Sequence, residues 1–253
     1  MHSAVDNNKE PVGRFRIARP PSMQMVSRMQ SIYGVDVWAA DGDQPPWPER
    51  LAALGPKILS RRDLGAGIEA VWYKEGEDHL IDAHKGKVWA HRGAPEGKES
   101  GAEELVRDVI NSYREGARNG FSIGPGAIVI ETSLTESARI RWKNETAVME
   151  FSTRTVSESN SKKFFDIDAE SELVSLAGGS LTVLSERALT IAGFAGQELQ
   201  LEFVTPKEGK RVRFVWHFPG EPRIATKPSI TLTATAASPP ASLEAIWQPV
   251  VQS

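Results

Sequence analysis

A chain of 253 residues is long for one compact domain and comfortable for two, each large enough to bury its own core. Its formal net charge of −3 comes from 30 basic and 33 acidic residues spread along the chain, with no basic stripe of the kind a phosphate backbone requires, so nucleic acid is not an expected partner. The chain has no cysteine, hence no disulfide or thiolate metal site, and no apolar stretch approaches the ~20 residues with which a helix crosses a bilayer.

Met1 to Glu10 show no basic n-region, apolar core or small-residue cleavage site, and do not read as a secretory signal. Residues 1–12 are expected to form a flexible tail before Gly13-Arg-Phe-Arg-Ile17. Asp41-Gly-Asp-Gln-Pro-Pro-Trp-Pro48 reads as irregular surface, because its three prolines cannot donate to a ladder or continue a helix interior. Ile68 to Lys74, Leu80 to His84 and Lys87 to His91 then read as strands, with turns at Glu75-Gly76-Glu77 and Lys85-Gly86. Ser100 and Glu103 match a capping box and predict a helix ending near Asn119-Gly120, with Leu105, Val109 and Tyr113 on its apolar face.

From Gly120-Phe-Ser-Ile123 the order begins again. Ala127 to Thr132, Ala138 to Lys143 and Ala147 to Thr155 read as strands, and Ile140 and Trp142 alternate with Arg139, Arg141 and Lys143 as on a sheet with one wet face. Ser157 to Lys163 is a polar loop followed by Phe164 and Phe165. Leu189-Thr-Ile-Ala-Gly193-Phe-Ala-Gly196-Gln-Glu198 is a strand, a glycine-punctuated turn and the start of a second strand, in which Glu198 is placed to hydrogen-bond across. Leu199 to Val204 and Val212 to His217 continue as a hairpin, and a strand around Ile230 and a helix at Leu243 to Trp247 close the chain. Each half runs from strands to a helix. The expected class is therefore α+β, with two domains, 13–119 and 120–253, each a mostly antiparallel sheet packed with helices, and with an ancient duplication as a plausible origin.

Constellations for catalysis or metal binding are weak. A two-residue turn at Lys85-Gly86 would set His84 opposite Lys87 and His91 opposite Leu80, leaving His84 and His91 ~13 Å apart at ~3.3 Å per residue, too far to share an ion. Gly65-Ala-Gly67-Ile-Glu-Ala70 has the letters of a dinucleotide fingerprint, but the strand-like Val71 to Lys74 follows it where a helix would have to hold the pyrophosphate. Gly178-Gly-Ser180-Leu-Thr182 lacks the last glycine of a nucleophile elbow, and Ser159 to Lys162 lies in a polar loop without the companion motifs of an S-x-x-K enzyme. Asp166, Asp168, Glu170 and Glu172 miss the calcium-loop pattern and read as a solvated run. No catalytic residue, cofactor or metal is expected, and the chain reads as a non-enzyme.

Seven tryptophans are many for this length, and Trp38, Trp72, Trp89, Trp142 and Trp216 sit in strand-like runs that imply core packing. Trp47 lies among prolines, where it could be a rigid interface anchor or could fold back on its own domain as a lid. The candidate partner-binding residues are Trp47, Arg50, Arg61 and Arg62 in the first half and Phe164 and Phe165 in the second.

The Leu189 to His217 block, with Arg211-Val-Arg-Phe-Val-Trp216, Pro228-Ser-Ile-Thr-Leu232 and Leu243-Glu-Ala-Ile-Trp247 after it, resembles the carboxy-terminal domain of a known family. These are the immunity proteins that neutralise lipase effectors of the type VI secretion system, specifically partners of the fourth lipase family. The likeness runs from Gly120-Phe-Ser-Ile-Gly-Pro-Gly126 to Trp247, and more loosely through Gly13 to Ile17 and Pro20-Pro21. One departure is Pro249, which is expected to interrupt a final helix that in the family runs on into a basic end. The resemblance implies a periplasmic inhibitor that binds a secreted phospholipase and blocks its substrate cleft or lid motion. The alternative is an envelope binding module for a lipid or a membrane-complex partner.

Overall fold

The computed structural model describes residues 9–39, 46–117, 119–124, 126–130, 135–157, 167–237 and 240–251. Phe164 and Phe165 lie outside these residues. In chain order the first elements are β1 (Lys9–Val12), β2 (Phe15–Ala18), β3 (Gln24–Ile32), β4 (Val35–Ala39) and α1 (Trp47–Leu54). A meander follows in β5 (Ile58–Asp63), β6 (Glu69–Glu75), β7 (Asp78–Lys85) and β8 (Val88–Ala94), then α2 (Glu99–Asn111). Three short strands, β9 (Tyr113–Glu115), β10 (Phe121–Ser122) and β11 (Gly126–Ile128), lead to β12 (Glu136–Lys143) and β13 (Ala147–Arg154). The rest is α3 (Ile167–Leu176), β14 (Ser180–Ile191), β15 (Phe194–Thr205), β16 (Gly209–Phe218), β17 (Ser229–Ala237) and α4 (Pro240–Val251).

The chain is rich in sheet, and its long strands pair antiparallel. It divides into two compact units: 1–10, 16–28 and 139–253 form one, and 11–15 with 29–138 form the other. β3 and β12 each have residues in both.

In the larger unit, hydrogen-bonded neighbours run in the order β14-β15-β16-β17-β13-β12. The expected alternation on β12 is present: Ile140 and Trp142 are fully buried, while Arg139, Arg141 and Lys143 are exposed. β14 and β15 turn over Ala192 and Gly193, both at positive φ, as a two-residue hairpin requires of its central residues. Gly196 has a different reason to be glycine. A Cβ there would stand 2.5 Å from the Trp216 ring and 2.6 Å from the His217 carbonyl oxygen. The absent side chain lets the Trp216 indole lie across the strand and donate to the Leu189 carbonyl at 2.8 Å. α4 buries Leu243 and Trp247 completely, with the Trp247 ring 5.7 Å from that of Phe214. The helix runs to Val251, past Pro249, contrary to the expected interruption. So close to the helix end, a missing proline amide removes one bond and leaves the remaining turns intact.

In the second unit the order is β4-β8-β7-β6-β5, and the predicted strands of the meander are present with β7 and β8 lengthened. Their register differs from the expectation. The tight turn is Gly86-Lys87, so Lys85 pairs with Val88, His84 with Trp89 and Asp82 with His91. α2 starts at Glu99, and Ser100 makes no capping bond; instead the Glu99 carboxylate accepts from the Gly97 amide at 3.1 Å. Glu103 is thereby free to accept from the Trp72 indole at 2.7 Å. The helix stops at Asn111, well before Gly120, because Tyr113 to Glu115 pair with β11 as a strand. The two glycine-led openings meet directly, with the Ser122 amide donating to the Gly13 carbonyl at 2.7 Å.

Candidate functional site

Four of the candidate residues lie on α1 and β5. α1 begins at Trp47 with Pro46 as its cap and Pro48 in its first turn, positions where a missing amide costs nothing because those donors have no partner in a helix. Trp47, Arg50, Leu51 and Leu54, spaced three and four apart, face the sheet. Trp47 is therefore buried, at 7 % exposure. Its ring stacks on His84 at 5.3 Å, meets Trp89 edge-on at 4.9 Å, and donates from Nε1 to Glu69 at 3.0 Å. Of the two sequence readings of this residue, the structure has the tryptophan folded onto its own unit, and the exposed anchor is not seen.

Arg50, one turn on, enters a network of buried polar groups. Its Nε donates to Asp82 at 2.6 Å and its Nη2 to the Tyr73 hydroxyl at 3.0 Å, with the guanidinium 5.6 Å from the Tyr73 ring centre. The hydroxyl donates to the other Asp82 oxygen at 3.2 Å, and His91 Nδ1 lies 2.7 Å from that same oxygen. Burial pushes the Asp82 carboxyl up, but hydrogen bonds from His91 and Arg50 outweigh it and hold the group below its ordinary value. An ionised carboxylate only accepts, so His91 Nδ1 carries the proton. Tyr73 is pushed well above its ordinary value by burial and by the Asp82 charge, and cannot serve as a phenolate nucleophile. The network stiffens the sheet under α1, but it includes no serine, cysteine or threonine.

Arg61 and Arg62 are exposed on β5 and, being adjacent, point to opposite faces. Arg61 pairs with Val71, whose side chain packs under α1, whereas Arg62 reaches toward Glu103 of α2 at 3.8 Å. The four residues do not converge on one patch. Among the described strands of the two orders given above, two have a hydrogen-bonded neighbour on one side only, and β5 is one of them. The other is β14, twelve residues long and exposed along most of its length, with Val183 and Leu184 at 41 % and 44 % exposure beside a bulge. An uncovered strand of this length offers a row of backbone donors and acceptors to another protein, a feature the sequence reading did not pick out.

No family model and no curated protein matches the chain in sequence. Solved structures do match it in fold. The apo immunity protein TplEi of the type VI secretion system of Pseudomonas aeruginosa superposes with a TM-score of 0.68 at 18 % identity, over 97 % of this chain and 95 % of that one. TplEi complexed with the "L" peptide gives 0.68 at 19 %, over 98 % of each chain. A chain of the Tle4–Tli4 complex gives 0.66 at 18 %, over 91 % of this chain and 86 % of that one. At these identities the matches show a shared fold: from end to end, this chain folds as those proteins do.

Proposed function

We propose that this chain is an immunity protein: it binds a lipase effector of a type VI secretion system in the periplasm and inhibits it stoichiometrically, by blocking the substrate cleft or holding the lid. What carries the reading is the end-to-end fold likeness to an immunity protein that has been solved both alone and with a peptide, combined with the sequence resemblance to inhibitors of lipase effectors. Such a role asks for a large complementary surface and no turnover. Two α+β domains, 13–119 and 120–253, derived from an old duplication, would suit it, since two separate contacts raise avidity without new chemistry.

In this reading Arg61, Arg62, Phe164 and Phe165 are contact residues, and the unpaired edge of β14 is a second contact. Trp47 and Arg50 act from inside, by holding the surface over β6 to β8 rigid. The test is to mix the chain with type VI lipase effectors and to follow complex formation and phospholipid hydrolysis together. Stoichiometric loss of hydrolysis is expected, and full hydrolysis at excess inhibitor would end the reading.

A further inference from the structure

β17, β13 and β12 lie side by side in the larger unit, with Ile140, Trp142, Met149 and Ala234 fully buried on one face. The alternate residues point the other way. Along β12 these are Arg139, Arg141 and Lys143, all exposed, and Arg154 is exposed at the end of β13. Two residues of strand advance ~6.6 Å at ~3.3 Å per residue, so the cations of β12 form a straight row ~13 Å long. The one carboxylate that the three strands present on this face is Glu150, whose oxygen lies 2.7 Å from Arg139 Nη2. Arg141, Lys143 and Arg154 have no ion-pair partner among the described residues. Hydroxyls stand beside the row: Glu150 pairs with Thr233, Ser152 with Thr231 and Val148 with Thr235, all half-exposed. The turn after Lys143 is fixed by Asn144 Oδ1, which accepts from the Thr146 and Ala147 amides at 3.0 and 2.8 Å.

What complements such a row is a line of carboxylates at the same repeat. An extended protein segment carries its alternate side chains ~6.6 Å apart on one side, which is the spacing of Arg139, Arg141 and Lys143 themselves. Arginine gives such carboxylates charge-assisted, directed bonds, and a sheet face backed by a packed layer has little freedom left to lose on binding. Other polyanions fit less well. Single-stranded nucleic acid is held by aromatic side chains on which bases stack, and a helix that lies on a bilayer sinks Trp, Phe or Leu into it, but the outward positions of β12, β13 and β17 hold none of these. Glu150 would also oppose a uniformly negative surface, whereas a protein can leave the place opposite it neutral.

We propose that the outer face of β12 and β13 is a docking surface for an acidic, extended segment of another protein, with Arg141, Lys143 and Arg154 as its cationic contacts. The first arm of the test titrates the full-length protein, followed by the NMR shifts of its backbone amides, with a ten-residue peptide of alternating glutamate and threonine and with its neutral counterpart of alternating glutamine and threonine. Saturable shifts confined to β12, β13 and β17 are expected with the acidic peptide. Binding should be at least tenfold weaker with the neutral peptide and in the double variant Arg141→Gln/Lys143→Gln, and within twofold of the parent in Lys74→Gln/Lys98→Gln, which removes the same charge from exposed positions of the other unit. No saturable shift, shifts elsewhere, or an equal loss in both double variants overturns the proposal. So does tighter binding to phosphatidylglycerol vesicles or to decathymidylate that the Arg141→Gln/Lys143→Gln variant abolishes, since it hands the face to a membrane or a nucleic acid. The second arm rests on the immunity reading and measures inhibition of type VI lipase effectors by the same variants. A tenfold loss in Arg141→Gln/Lys143→Gln alone assigns the acidic segment to the lipase, whereas unchanged inhibition beside lost peptide binding assigns it to a different acidic protein. If a lipase is inhibited but the acidic peptide never binds, the docking surface fails and the immunity reading stands; if the peptide binds as expected and no lipase is inhibited, the reverse holds.

Discussion

The indole Nε1 of Trp247, on α4, donates to a carboxylate oxygen of Glu198, on β15, at 2.8 Å, and both side chains are buried. The other oxygen of Glu198 accepts from Arg187 Nε at 2.7 Å, a bond that raises the Arg187 pKa. The carboxylate therefore ties the last helix to the hairpin. Trp247→Phe keeps most of the apolar volume but leaves a buried charged acceptor short of a donor, and should lower unfolding stability by about 1–3 kcal/mol. Arg187→Ala should cost less than about 1 kcal/mol, because the arginine side chain is 55 % exposed and water can replace it. Urea unfolding of the two variants decides it; an equal or reversed order would mean that α4 is not held through this bond.

Gly196 and Gly193 are three residues apart and should fail differently. At Gly196 an added methyl lands on the Trp216 ring and the His217 carbonyl, so Gly196→Ala must displace the indole and lose its bond to Leu189. A loss of about 1–3 kcal/mol is expected, with a changed near-ultraviolet circular dichroism signal. At Gly193 nothing lies within 4 Å and φ is +84°, so only the backbone conformation is at stake. Gly193→Asn, which tolerates that region, should leave both stability and the aromatic signal near the parent values.

Asp82 carries the network under α1. Its carboxyl is held below the ordinary value in the folded state, so its contribution is present above the unfolded-state pKa and is lost as pH falls through the folded one. Asp82→Asn removes a charge that accepts from Arg50, His91 and Tyr73, and should cost about 1.5–3 kcal/mol at neutral pH. The gap between parent and variant should narrow as the medium is made more acidic than pH ~4. Denaturant midpoints measured from pH 7 down to pH 3 test this, and a gap that stays constant would mean the residue matters for shape and not for charge.

Much of the sheet was legible because period-2 burial is a local property: Ile140 and Trp142 against Arg139 and Arg141 need no knowledge of their neighbours. The network was not, because it depends on register. Shifting the turn from Lys85-Gly86 to Gly86-Lys87 moves the partner of His91 from Leu80 to Asp82 and creates the pair on which Arg50 closes, 32 residues away in sequence. α1 was hidden for another reason. Pro46 and Pro48 look like breakers by composition, yet at a helix start they are compatible with it, and the helix turns Trp47 inward. At α2 the local capping signal was real in letters, but Trp72 and Gly97 competed for the two glutamates and won.

His217 supplies a prediction of opposite pH sense to a salt-bridged histidine. It is buried, with Nδ1 2.9 Å from the Thr231 hydroxyl, and burial lowers its pKa below the ordinary 6.5 because the imidazolium would lose its hydration. Unfolded chains then bind a proton at a pH where the folded protein does not, so stability falls as pH drops below about 6.5 and stops falling once the folded-state pKa is passed. The slope in that window approaches about 1.4 kcal/mol per pH unit for one proton. His217→Gln keeps a hydrogen-bonding side chain of similar reach without a titrating group, and should remove that part of the pH dependence while leaving the contribution of the other histidines. Subtracting the variant's stability curve from the parent's between pH 7.5 and 5 isolates it: a difference that grows toward acid in the variant's favour is expected, and a flat difference would mean that the folded state accommodates the proton at His217 as readily as the unfolded chain does.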